Sequence, residues 1–164
     1  MLFRSFDILI AETNIYLSTK QNDKAIDNLT AAVEKDPMNP TIHYAVGVTY
    51  AGMGKEAEAE AAYKQAVELK NDYFEANYNL GALYVNQAAG FIEQANKLPL
   101  SATKEYDELK ARADDILKKS LPYLETASQL DPNDKSTLLS LKEIYTRLQM
   151  YEKMKVVNEK LNNM

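Results

Sequence analysis

A chain of 164 residues with 46% hydrophobic and 26% charged content is long enough for a real core and too mixed for a low-complexity tail. Its net charge of −5 and the lack of a Lys/Arg cluster argue against a nucleic-acid footprint, which needs basic groups to displace counterions from phosphates. With no cysteine there is no disulfide, thiolate zinc site or cysteine nucleophile, so the redox compartment stays open.

The opening "MLFRSFDILIAE" is apolar, but Asp7 splits the run and no small-residue cleavage site follows, so it does not read as a signal peptide. No stretch is apolar for long enough to span a bilayer as a helix. A soluble chain, cytoplasmic or periplasmic, is the expectation.

Next comes a period. Tyr16, Tyr50 and Tyr84 stand 34 apart, and the same step links Ala25 with Ala59, Leu29 with Tyr63, Ala32 with Ala66 and Gly47 with Gly81. The units also end alike, in "VEKDPMNP" at 33–40, "VELKNDYF" at 67–74 and "ASQLDPND" at 127–134. Inside a unit the apolar residues recur at steps of three and four, as in Ala25, Leu29, Ala32 and Val33, which predicts two amphipathic helices per unit. The turns within units are "KQND" at 20–23, with Asp23 as expected cap, and "GMGKE" at 52–56. Pro37, Pro40 and Pro132 fall between units, where a missing N–H costs little.

These residues resemble the tetratricopeptide repeat, a family of helix-turn-helix units. Gly47, Tyr50, Ala59, Tyr63 and Ala66 carry the resemblance in one unit, Leu80, Gly81 and Tyr84 in the next, and Tyr16, Ala25, Leu29, Ala32 and Pro37 in the first. Gly and Ala admit close helix approach, and Tyr or Leu fills the space between. The resemblance implies an all-α, right-handed superhelical α-α solenoid of about four units: a single domain over 1–164, divided at about 6–39, 40–73, 74–134 and 135–164. The last unit is degenerate, with Lys142 for the expected Gly and Met154 for the expected Ala, as suits a terminal repeat.

Unit three breaks the period. Tyr84 to Tyr145 spans 61 residues, one period plus 27, with no turn signal after Tyr84. The expected result is an elongated third hairpin whose first helix runs from near Tyr73 to about Lys97, with a break at "LPLS" and a second helix capped by Ser101. Val85, Ala88 or Ala89, Ile92 and Ala95 form one stripe; Ala102, Tyr106, Leu109, Ala113 and Ile116 form the other. Glu108–Arg112, Asp114–Lys118 and Asp115–Lys119 are spaced as supporting i,i+4 pairs. Gly90 marks close packing or a kink, and Pro122 a bend or a new segment capped by Ser120.

Catalytic chemistry finds no support. His43 is the single histidine and reads as a packed residue on a first helix; Glu56, Glu58 and Glu60 alternate without converging; no phosphate loop or nucleophile elbow occurs. No enzyme activity, cofactor or metal is expected. The expected function is a protein-interaction scaffold.

In the resembled family the first helix of each unit lines an inner groove. Carried onto this sequence, that register gives Asn14, Tyr44, Glu75, Tyr78, Asn86, Glu143 and Arg147 as groove residues. At the hairpin tip, Phe91, Leu98 and Leu100 form an apolar contact surface. Some members clamp acidic chaperone C-termini with Lys, Asn and Arg. Here Asn14 and Asn79 fit that clamp, whereas Ile10, Ala45 and Glu75 do not, so such a peptide is not expected as ligand. The expected partner is a protein or peptide. Homo-oligomerisation, or stacking on further repeats, through Leu2, Phe3, Phe6 and Leu9 at one end and Val156, Val157 and Leu161 at the other, is the alternative.

Overall fold

The computed structural model describes residues 6–164, except the side chains of residues 6, 7, 9, 10 and 14. The described residues form helices alone: α1 Phe6–Ser18, α2 Asn22–Lys35, α3 Pro40–Gly52, α4 Glu56–Leu69, α5 Phe74–Asn96, α6 Thr103–Leu130, α7 Lys135–Arg147 and α8 Tyr151–Asn162. They pair in sequence as helical hairpins, the arrangement of an α-helical repeat solenoid. By contacts the chain divides into two compact units, 1–76 and 77–164, with the boundary inside α5.

Three hairpin turns are built the same way. Lys20, Gly54 and Gln149 all adopt left-handed backbone, at φ 57, 71 and 58°. The next amide in each case reaches back five residues: Gln21 N–H to the Tyr16 carbonyl, Lys55 to Tyr50 and Met150 to Tyr145, at 2.7, 2.9 and 2.8 Å. This six-to-one bond satisfies a carbonyl that the helix end leaves open. A lysine then covers each tyrosine ring: Lys24 on Tyr16, Lys55 on Tyr50 and Lys153 on Tyr145, at 5.9, 5.8 and 5.6 Å from the centroid. The caps of the second helices lie elsewhere than the sequence suggests, because α2 starts at Asn22 behind Gln21, leaving Asp23 inside its first turn.

Side-chain caps stand between hairpins. The Asn39 side chain accepts from the Thr41 amide at 3.1 Å, with Pro40 in the first helical turn, and Asp134 accepts from the Thr137 amide at 2.7 Å. His43 donates through Nε2 to the Pro37 carbonyl at 2.8 Å, so it ties α3 to the preceding turn.

In unit 1, Leu29, Ala32, Ile42 and Ala45 are buried together with Val33 and Val46 against them. Gly47 is needed where α3 meets α4, since a Cβ there would overlap the Tyr63 ring. In unit 2, Ala88, Ala113, Leu117, Leu124, Leu138, Leu141, Ile144, Tyr145 and Val157 make one core. Gly81 repeats the role of Gly47, its absent Cβ standing 2.5 Å from Leu124 Cγ.

The third hairpin is long: α5 has 23 residues and α6 28, against 13 and 14 in α3 and α4. At 1.5 Å per residue the arms run roughly 35 and 42 Å. Pro122 lies inside α6 and starts no new segment. Ser120, expected as a cap, is buried and donates to the Leu117 carbonyl at 2.7 Å. At the turn, Ala102 rather than Ser101 precedes α6, with no side-chain cap. The expected ladder of i,i+4 pairs is replaced as well. Lys118 pairs with Asp115 at 3.0 Å, Lys104 stands 3.9 Å from Glu108, and Asp114 leaves its own helix to meet Arg147.

Candidate protein-interaction surface

In unit 1, Tyr44 projects from α3 into a group of aromatic rings, 6.0 Å from Tyr63 and 5.3 Å from Tyr73. Burial, and then the nearness of Tyr44, push the Tyr63 phenol well up from its ordinary value. Tyr44 is half-buried and set beside both rings. Val48, one turn on, is 37% exposed, and Glu75 at the start of α5 is exposed. Asn14 lies on α1, its side chain outside the described residues.

In unit 2 the expected residues separate. Asn86 and Glu143 are exposed, while Tyr78 is half-buried against the core. Arg147 is committed to an internal pair, its Nε donating to Asp114 Oδ1 at 2.7 Å and its Nη2 buried without a hydrogen-bond acceptor. It acts as a strut between α7 and α6. Sequence reading missed this pair because the partners lie 33 positions apart and no local spacing links them.

The hairpin tip keeps its apolar character. Leu100 is fully exposed, Leu98 half-buried, and Tyr106 36% exposed beneath Lys110, whose Nζ lies 5.2 Å from the ring centroid. Phe91 belongs to the shaft, where it packs against the core. Among the described residues between Ala88 and Ala113, Ala95 alone is fully buried, so the distal arms are a thin two-helix seam.

A second polar group joins three helices. Tyr145 donates to Glu125 Oε1 at 2.7 Å, and Lys153 donates to the same oxygen at 2.7 Å. Burial works to raise the Glu125 pKa, but the hydrogen bonds from Lys153 and Tyr145, with the Lys153 charge, outweigh it and hold the carboxyl below its ordinary 4.5. The phenol of Tyr145 is pushed up by burial and by Glu125. These groups brace α6, α7 and α8. Among the described residues no three of His, Asp or Glu gather closely enough to hold a metal ion, and no helix is long and apolar enough to cross a membrane.

Comparison with known proteins places the fold. A family description of the tetratricopeptide repeat matches residues 14–54 and 53–87. Comparison with curated proteins gives no sequence match. Among solved structures, a tetratricopeptide repeat protein from Bacteroides fragilis is similar at 27% identity and a TM-score of 0.58, over 88% of this chain and 68% of that one. The first tetratricopeptide domain of Spaghetti (RPAP3), bound to the HSP90 peptide SRMEEVD, is similar at 23% identity and a TM-score of 0.62, over 87% and 94% of the two chains. MamA is similar at 18% identity and a TM-score of 0.63, over 97% of this chain and 80% of that one. The period of 34, the glycine-to-large contacts at Gly47 and Gly81 and these likenesses agree: residues 14–87 carry tetratricopeptide repeats, and the chain has the all-α repeat fold of the tetratricopeptide structures it is similar to.

Proposed function

We propose that the chain is a non-catalytic scaffold that binds another protein, with the distal end of the third hairpin as its main contact. The observation that carries this reading is Leu100, wholly exposed two positions after half-buried Leu98 at the end of a hairpin whose helices far exceed those of α3 and α4. Leu98 and Leu100 are the anchors, and Phe91 supports them from the shaft. The first helices offer further surfaces suited to an extended peptide, through Asn14, Tyr44 and Glu75 in unit 1 and through Tyr78, Asn86 and Glu143 in unit 2, since tyrosine gives contact area at low entropic cost and asparagine satisfies backbone amides.

An acidic peptide such as the SRMEEVD bound in the Spaghetti structure is not the ligand favoured here. Residues 1–76 carry seven Lys and Arg against twelve Asp and Glu, and Arg147 is occupied by Asp114.

The test compares proteins retained by the immobilised chain with those retained by two variants. One replaces residues 87–112 by the short turn Gly-Met-Gly-Lys, and the other is Tyr44→Ala. Partners lost with the shortened hairpin and kept by Tyr44→Ala support the hairpin as the main contact. Retention by the shortened variant, with helicity intact by circular dichroism, overturns that assignment.

A further inference from the structure

We propose that the distal part of the third hairpin, residues 91–113, is a hinged arm that tilts about Gly90 of α5, and that the Asp114–Arg147 ion pair is the latch that restrains it. The proposal concerns the hairpin itself and holds whatever the tip contacts.

Gly90 lies well inside α5, where glycine weakens a helix relative to alanine. Gly47 and Gly81 have a packing reason for that weakness, since a Cβ at either would overlap Tyr63 or Leu124. At Gly90 an added Cβ meets nothing within 4 Å. Packing therefore does not call for glycine there, and what the residue supplies is a soft point in the helix.

That soft point falls where the packing changes. On the core side, Ala88 of α5 and Ala113, Leu117, Ser120 and Leu124 of α6 are all buried. On the far side, Ala95 is the one fully buried residue among 91–112. A segment with so few buried contacts moves at small cost. Phe91 and Ile92 do pack against the core, but they adjoin the pivot, where a tilt displaces them least.

What fixes the angle of the arm is polar. The ion pairs of the arm itself, Glu93–Lys97 and Lys104–Glu108, each stay within one helix. Asp114, at the base of the arm in α6, crosses instead to Arg147 of α7, which donates from Nε to Oδ1 at 2.7 Å. The Arg147 and Asp114 side chains remain 24% and 34% exposed, so water can replace the contact when it opens. Arg147 also uses one side of its fork: Nη2 is buried with no acceptor, and the pair lacks the two-bonded geometry of the strongest such contacts. A contact of this kind holds an angle and can release it.

At 1.5 Å per residue the arm rises roughly 17 Å above Asp114, so a tilt of about 20° carries the tip about 6 Å. Spin labels read a displacement of that size, and the chain has no cysteine of its own to interfere. Labels are placed at Ser101→Cys near the tip and Lys155→Cys on α8, both exposed, and the full chain is measured by double electron–electron resonance. Gly90→Ala should narrow the distance distribution, whereas Arg147→Met and Asp114→Ala should each broaden it. A core-side pair, Lys119→Cys with Lys155→Cys, should be the same in every variant. A distribution that Gly90→Ala leaves as wide as before, or widens, overturns the hinge. Failure of either Arg147→Met or Asp114→Ala to broaden it overturns the latch, and so does broadening shared by the core-side pair, which would mean that unit 2 loosens as a whole.

Discussion

Units 1 and 2 solve the same packing problem with different materials. Unit 1 relies on apolar contact and tilted tyrosine rings between short hairpins, with Gly47 admitting the Tyr63 ring and one long hydrogen bond, 3.5 Å from Asn28 to Glu12, between α2 and α1. Unit 2 keeps the glycine contact at Gly81 and adds polar struts that cross between helices, Asp114 to Arg147 and Glu125 to Tyr145 and Lys153. The lesson is that a regular repeat needs little beyond its own register, whereas an elongated hairpin needs fixing points along its length.

The sharpest break of this comparison is at the shared glycine contact. Leu124→Ala should cost unit 2 about 3 kcal/mol in urea unfolding, from lost burial and a cavity. Gly81→Ala should cost about 1–3 kcal/mol in the native background and much less beside Leu124→Ala, a coupling that a double-mutant cycle reads directly. If the two changes add without coupling, the contact is not what keeps position 81 small.

Next in size is the strut. Arg147→Met should destabilise by about 1–2 kcal/mol, between the values for exposed and fully buried pairs, because Asp114 is left partly buried without its cation. Asp114→Leu combined with Arg147→Met should recover most of that loss. Failure of the pair to recover it would mean that the strut also fixes geometry an apolar contact cannot replace.

The hairpin turns sharpen the comparison by a smaller amount. Left-handed backbone suits glycine, so Lys20→Gly in unit 1 and Gln149→Gly in unit 2 should each stabilise by about 0.5 kcal/mol, while Gly54→Ala should cost about 1 kcal/mol. Thermal melts of the three variants give the order.

The smallest effect is in pH. Glu125 is held below its ordinary 4.5, so its contribution is fully present above that value and is lost as pH falls through the depressed value. Glu125→Gln should flatten the part of the acid unfolding curve below about pH 4.5 that reports on unit 2, and leave the curve at neutral pH unchanged in slope.

The helices, their pairing and the long third hairpin are legible in the sequence because they rest on periodicity, which is local and repeated. Asp114 shows where that ends. Its i+4 neighbour Lys118 is visible in sequence, and its actual partner lies 33 positions away. Phe91 and Arg147 were expected on contact surfaces and are packed or paired instead, since a helical stripe gives the face of a residue without saying how far a neighbouring helix extends over it. Likewise Val157, expected at an open apolar end, is inside the core, and Leu2 and Phe3, with the side chains of Phe6, Leu9 and Asn14, lie outside the described residues. The left-handed turns were half legible: Gly54 announces itself, while Lys20 and Gln149 emerge only when the period is carried over from it.

The Asp114–Arg147 pair also gives the third hairpin a mechanical character. Asp114 lies about 17 Å along α6 from the first residue after the tip, at the level where full burial resumes at Ala113. A pull on Leu100 is therefore a force applied at the end of a lever, and its torque falls on this one ion pair and the small-residue seam beside it. A partner bound at the tip, as proposed above, would load the joint and through it α7.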